Sequence, residues 1–390
     1  MRWDGTAARN AARFYGGAAA AAGRLSGART PWGGTGAAQW LAWPAMRVGI
    51  LTAGGDCPGL NAVIRAAARR LIAHGHEPIG LRRGYRGLAE HDWMPLDQRT
   101  VSGILPLGGT ILSTSNYNPF REPEGVAKVL SQQQQDPLDA VIAIGGEHTM
   151  MITRRVHEEL GLPVVGVPKT IDNDVVGTDY TFGFDTAVQV ATDAIDRLHT
   201  TAQSHDRVMI LEVMGRHTGW IAVYAGIAGG ADGILIPELE LTVEELAAAI
   251  ERRHQRGKDF SIIVVAEGAE LVFENGERKQ VRSSDETDQY GYPRLGGIGA
   301  ALAAELEQRT GFETRVTTLG HVQRGGTPTA TDRVLATRYG VMAADLVMAG
   351  ETGRMVALHG TEMTSVPLRE VEGVKRVDLR YLEIARTFFG

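Results

Sequence analysis

The 390-residue chain sets 40 Lys and Arg against 46 Asp and Glu, a net charge of −6, and 43% of its residues are hydrophobic. The acidic balance argues against a nucleic-acid binder, which needs a basic face, while the apolar share and length suffice for real cores in about two or three domains. No apolar run reaches the roughly 18–20 residues that span a bilayer, and the single cysteine, Cys57, excludes an intrachain disulfide framework, so a soluble cytoplasmic protein is expected.

Residues 1–45 are rich in Ala, Gly, Arg and Trp, and Asp4 is their only acidic residue. Ala18 to Ala22, broken by Gly23 and Arg24, makes a poor signal-peptide core, so this stretch reads as a disordered leader or a start codon placed upstream of Met46. From Met46 onward, short β-branched runs alternate with helix-length amphipathic segments. The predicted strands are Arg47–Thr52, Asp139–Ile144, Pro163–Val167, Arg207–Val213, Asp232–Ile236, Phe260–Ala266 and Arg315–Leu319. Helical patterns cover Asn61–Ala73, Thr186–Thr201, Val243–Arg256 and Gly296–Arg309. Near-continuous apolar strands separated by helices predict parallel sheets covered on both faces, a doubly wound α/β architecture in two lobes. Ligands of such sheets bind beyond the carboxyl ends of the strands, so the residues just after each strand carry the information.

The first strand runs into Gly54-Gly55-Asp56-Cys57-Pro58-Gly59 before a helix, a pattern open to phosphate cradling or to an ordinary tight turn. A second glycine-rich strand end, Gly145-Gly146-Glu147-His148, also enters a helix, and the pair suggests a ligand with several phosphates. The third is Pro168-Lys169-Thr170-Ile171-Asp172-Asn173-Asp174. Here one carboxylate can take a proton while the other helps hold a divalent cation, and Lys169 adds a point charge. Met214-Gly215-Arg216-His217, Glu267, Arg315 and His321-Val322-Gln323-Arg324 follow later strands and offer guanidinium forks for phosphate and a carboxylate for sugar hydroxyls.

These motifs, in this order from Met46 to about Gly350, make the chain resemble the phosphofructokinase family, closest to its actinobacterial type with ATP-dependent and pyrophosphate-dependent members. The resemblance implies Mg²⁺-dependent transfer of a phosphoryl group to the 1-hydroxyl of fructose 6-phosphate, with pyrophosphate favoured over ATP as donor. Asp172 would be the base, with Thr170, Lys169 and Asp174 beside it and Glu147 as a magnesium ligand. Met214, Gly215, Arg216, Glu267, His321 and Arg324 match the sugar-phosphate pocket. Arg207 and Arg315 match arginines that reach a neighbouring subunit's site, implying a homotetramer or homodimer with shared active sites. Gly55, Tyr85, Asn116, Arg121, Gly146 and His148 fall at donor-side positions. The implied lobes are a donor-binding one, 46–183 with about 323–370, and a sugar-phosphate-binding one, 184–322 with the C-terminal segment. Two positions depart from the family pattern. His148 stands where ATP users have Gly and pyrophosphate users have Asp, and Asn116 stands where an Arg commonly bridges the two phosphates. Ser113 likewise replaces a usual Gly. The departures leave open a paralogue acting on another sugar phosphate, such as sedoheptulose 7-phosphate, and a catalytically weak sugar-phosphate sensor.

Overall fold

The computed structural model describes residues 45–287, 293–387 and 389, so the expected leader lies, apart from Ala45, outside the described residues. In chain order the first part comprises β1 (Arg47–Thr52), α1 (Leu60–Ala73), β2 (Glu77–Leu81), α2 (Tyr85–Glu90), β3 (Trp93–Pro95), α3 (Gly125–Gln135), β4 (Ala140–Gly145), α4 (Glu147–Leu160) and β5 (Val164–Pro168). The middle comprises α5 (Phe184–His205), β6 (Val208–Val213), α6 (Trp220–Ala228), β7 (Gly233–Leu235), α7 (Val243–Gln255), β8 (Ser261–Ala266) and two small hairpins, β9 (Glu270–Val272) with β10 (Arg278–Gln280) and β11 (Arg282–Thr287) with β12 (Pro293–Leu295). Then follow α8 (Ile298–Thr310), β13 (Thr314–Thr318), α9 (Ala330–Met348), β14 (Arg354–His359), β15 (Glu362–Pro367) and α10 (Arg380–Arg386).

A seven-stranded sheet in the order β15-β14-β5-β4-β1-β2-β3 and a four-stranded sheet in the order β13-β6-β8-β7 form the frame. Their central pairings are parallel, and the seven-stranded sheet is finished at both edges by antiparallel partners, β15 on β14 and β3 on β2. Strands β1, β4, β6 and β8 are buried along all or nearly all their length, as expected of apolar runs covered on both faces. Helix α9 returns from the later part of the chain to pack on the first sheet's side, beside α1, where Tyr339 and Ala336 are fully buried.

The connections position the site. From β1 the chain steps to β2 on one side and later places β4 on the other, so strand order reverses at β1 and β4. That reversal opens a crevice at the carboxyl ends of β1, β4 and β5, whose registers run side by side from Thr52 against Ile144 to Gly145 against Pro168.

Candidate active site

A cleft of about 200 Å³ is lined by Gly54, Gly55, Gly146, Glu147, His148, Thr149, Lys169, Thr170, Asp172, Asp174, Met214, Arg216, His217, Glu267 and Arg324. Every one of these residues lies on a loop after a strand, in the first turn of a helix or in the short 3-10 turn Gly320–Arg324. The first sheet supplies the loops after β1, β4 and β5. The second supplies those after β6, β8 and β13.

On the first sheet's side, Gly146 caps α4 in extended conformation, so the helix's free amides and positive end face the cleft. The loop after β1 is tied down from two directions. The Thr114 hydroxyl donates to the Gly54 carbonyl at 2.6 Å, and the Gly54 N–H donates to the Ser115 carbonyl at 3.1 Å. Lys169, 4% exposed, reaches across from β5 and donates its ammonium to the Gly55 carbonyl. Burial lowers its pKa, and the thiol of neighbouring Cys57, also buried, is pushed up to about 12. Lys169 therefore sits on the floor between two glycine-rich loops, its side-chain nitrogen held by the Gly55 carbonyl. Gly55 has a steric role: a Cβ there would stand 2.7 Å from Nη1 of Arg324, so its absence lets the guanidinium lie against the loop.

Asp172 occupies the centre. Its backbone N–H donates to the Thr170 hydroxyl at 3.1 Å, and its carbonyl accepts from the Thr218 hydroxyl at 3.2 Å. Its Oδ1 is screened from solvent and has no hydrogen-bond partner. Burial, with the negative charge of Asp174, pushes this carboxyl up to about 7, although Arg324 and Arg216 pull it down. A screened carboxylate oxygen without a donor costs on the order of 1–3 kcal/mol, more when ionised, so a ligand hydroxyl would satisfy it. Glu147 is raised by burial and by the charge of Asp174. Glu267 is raised by burial against the opposing pull of Arg216 and Arg324.

On the second sheet's side, Gly215 has φ 141°, and a Cβ there would meet the Thr218 carbonyl oxygen at 2.5 Å, so the turn presenting Arg216 requires glycine. The Met214 N–H donates to Oε1 of fully buried Gln323 at 2.8 Å, which locks the loop after β6 to the 3-10 turn bearing Arg324.

Of the residues expected from sequence, the cleft brings together Gly55, Gly146, Glu147, His148, Lys169, Thr170, Asp172, Asp174, Met214, Arg216, Glu267 and Arg324. Gly215 forms the turn beneath Arg216. His321 is exposed on the 3-10 turn and Arg121 is exposed, and neither lines the cleft. Asn116 stands one residue beyond Ser115, beside the β1 loop but off the lining. Tyr85 departs most: it is fully buried, its hydroxyl bonded to the Thr153 hydroxyl at 2.6 Å, so it packs in the core behind the donor side. Arg207 and Arg315 lie at the β6/β13 edge, both paired with Glu313, away from this cleft. Sequence reasoning did not assign roles to Gly54, Thr149 and His217, although each stood within a quoted motif or next to one.

The phosphofructokinase family model matches residues 47–347. The chain belongs to the phosphofructokinase family. Among its relatives, the pyrophosphate–fructose 6-phosphate 1-phosphotransferase of Amycolatopsis methanolica is 54% identical over 88% of this chain and 100% of its own length. The ATP-dependent 6-phosphofructokinase 3 of Streptomyces coelicolor is 51% identical over 87% of this chain and 98% of its own. The crystal structure of a pyrophosphate-dependent phosphofructokinase from Marinobacter aquaeolei superposes with a TM-score of 0.72 at 20% identity, covering 88% of this chain and 92% of that one, which shows the shared fold. As a phosphofructokinase, the protein is a phosphotransferase, and its parallel-rich α/β architecture is that of the family. Among the described residues, no helix is long and apolar enough to cross a membrane.

Proposed function

We propose that this phosphofructokinase transfers a phosphoryl group from pyrophosphate to the 1-hydroxyl of fructose 6-phosphate, yielding fructose 1,6-bisphosphate and phosphate in the cytoplasm. The observation that carries the reading is the screened, partnerless Oδ1 of Asp172 at the meeting point of two sets of strand ends. The acceptor hydroxyl donates to that oxygen, and Asp172 takes its proton as the oxygen bonds to the transferring phosphorus and the bridging P–O bond of pyrophosphate breaks, releasing phosphate. Arg216 and Arg324 hold the sugar phosphate, and Glu267 accepts from sugar hydroxyls. The Gly54–Gly55 loop, Lys169 and the amides at the start of α4 hold the donor in line. Thr170 fixes the turn that aims Asp172.

Glu147 and Asp174 bring two carboxylate charges together in the cleft, and among the described residues no cluster of three metal-ligating side chains exists. Two carboxylates fit Mg²⁺, which takes one or two protein oxygens and completes its shell with water and phosphate. Bound there, Mg²⁺ would supply charge neutralisation for the donor phosphates.

Pyrophosphate is favoured because His148, in the first turn of α4, lines the cleft where glycine would leave space for the rest of a nucleotide. The two named relatives differ in donor yet both carry fructose 6-phosphate chemistry in their names, so neither another sugar phosphate nor a sensor is retained. The lobe carrying the seven-stranded sheet serves the donor, and the lobe carrying the four-stranded sheet serves the sugar phosphate. Arg207 and Arg315, outside their own cleft, complete a partner copy's site in a homo-oligomer. The test is product formation with Mg²⁺, fructose 6-phosphate and either donor: fructose 1,6-bisphosphate arises with pyrophosphate. Faster turnover with ATP would reverse the donor assignment, and no product with either donor would remove the reading.

A further inference from the structure

The catalytic turn is held by a residue far along the chain and beyond the family-model match, Lys375. Its ammonium has three protons and three acceptors, all from one short loop: Oδ1 of Asn173 at 3.0 Å and the carbonyls of Thr178 and Asp179, each at 2.9 Å. The backbone of Lys375 is equally committed. Its N–H donates to the Asp174 carbonyl at 2.8 Å, and its carbonyl accepts from Nε1 of Trp220 at 2.9 Å. The ammonium also lies 5.5 Å from the Trp220 ring.

Asn173 is the residue on which these bonds converge. It sits between Asp172 and Asp174, is 1% exposed and adopts φ 50°, in the left-handed region that Asn, with its short hydrogen-bonding side chain, enters more readily than other residues bearing a Cβ. Its Oδ1 also accepts from the N–H and hydroxyl of Thr181. Trp220 opens α6, directly after the loop whose Thr218 hydroxyl holds the Asp172 carbonyl. Lys375 thus joins the turn carrying both aspartates to the loop carrying Arg216.

We propose that Lys375 is a positioning residue for phosphoryl transfer, acting through Asn173 to hold Asp172 in line with the acceptor hydroxyl. It does not line the cleft, so its removal changes geometry in the transition state more than ground-state binding. A misplacement of about 1 Å costs on the order of 10²-fold in rate. The inference rests on the phosphotransferase reading, and wild-type turnover tests that reading separately.

The experiment compares Lys375→Met with wild type in the fructose 6-phosphate assay. The expected result is a fall in kcat of about 10²-fold, KM values for both substrates within about threefold, and, in Lys375→Ala, whose truncated side chain leaves room for the amine, partial recovery of kcat with added ethylammonium that leaves wild type unchanged. In a double-mutant cycle, Asn173→Ala and Lys375→Met together should cost little more than either alone, because both break one linkage. Should Lys375→Met fail to fold, Lys375→Gln, which keeps two N–H donors without the charge, is assayed for the same kcat-against-KM split. Unchanged kcat, or a parallel worsening of kcat and both KM values without amine rescue, overturns the proposal. An inactive wild type would instead remove the reading on which it rests.

Discussion

At the scale of single residues, the site places ionisable groups where burial and neighbouring charge disturb them, and this has consequences for stability as well as rate. Asp172 is pushed up to about 7 in the fold, above its ordinary value near 3.8. A carboxyl raised in this way favours its protonated form in the native state. Its contribution to stability is therefore full below the unfolded value and is lost as pH rises through about 7. Asp172→Asn should consequently be more stable than wild type at pH 8, with the gap closing towards pH 4. Urea unfolding at the two pH values measures this, and an equal or reversed gap at pH 8 would contradict the account of burial. His148 gives a second residue-scale test. Removing the imidazole in His148→Gly should raise turnover with ATP relative to pyrophosphate by at least about tenfold, close to 1.4 kcal/mol of steric obstruction. An unchanged donor ratio would show that the imidazole does not select.

At the scale of elements, what sequence made legible was whatever periodicity and composition express locally. All seven expected strands lie within a residue of their predicted bounds, the apolar ones because their continuous runs reflect burial on both faces. Strand β2 carries no local strand signal because Pro78 and Gly80 interrupt its β-forming character, and it is held as a strand by pairing with β1 and β3. The β14–β15 hairpin lacks one for a different reason: it completes the first sheet's edge by pairing on β5, a long-range contact that no local pattern announces. Ser113 shows the reverse, a local signal with a structural counterpart. Ser113, which stands where glycine is usual, has φ 55°, and its carbonyl accepts from the Thr52 hydroxyl at 2.8 Å. Glycine enters that region without the Cβ clash, so Ser113→Gly should raise stability by roughly 0.5–1 kcal/mol. Thermal unfolding measures it, and a lower midpoint would mean the serine side chain contributes more than the strain costs.

At the scale of the whole molecule, the site exists because two sheets present their carboxyl ends to one cleft. Most of its residues were legible from their positions after strands, since that rule follows from the architecture alone. Tyr85 was not, because its place in a motif says nothing of the side chain's direction, and its hydroxyl turns inward to Thr153. Lys375 was not, because its role depends on the chain returning some 200 residues later to a turn it never adjoins in sequence. Arg207 and Arg315, proposed above to complete a partner copy's site, set a test beyond one chain. If they complete a partner's site, mixing Arg315→Ala with Asp172→Asn under conditions that allow subunit exchange should restore turnover that each variant lacks or largely lacks. Sedimentation velocity would show the assembly that makes this possible, and a monomer with full activity would contradict it.

The proton taken by Asp172 is the central step of the proposed reaction, and turnover of Asp172→Asn alongside fructose 6-phosphate binding tests it most directly. A fall in kcat of about 10²–10⁴-fold with the calorimetric affinity for fructose 6-phosphate held within a few-fold is the expected result. Turnover within tenfold of wild type would show that another group takes the proton and would contradict the account.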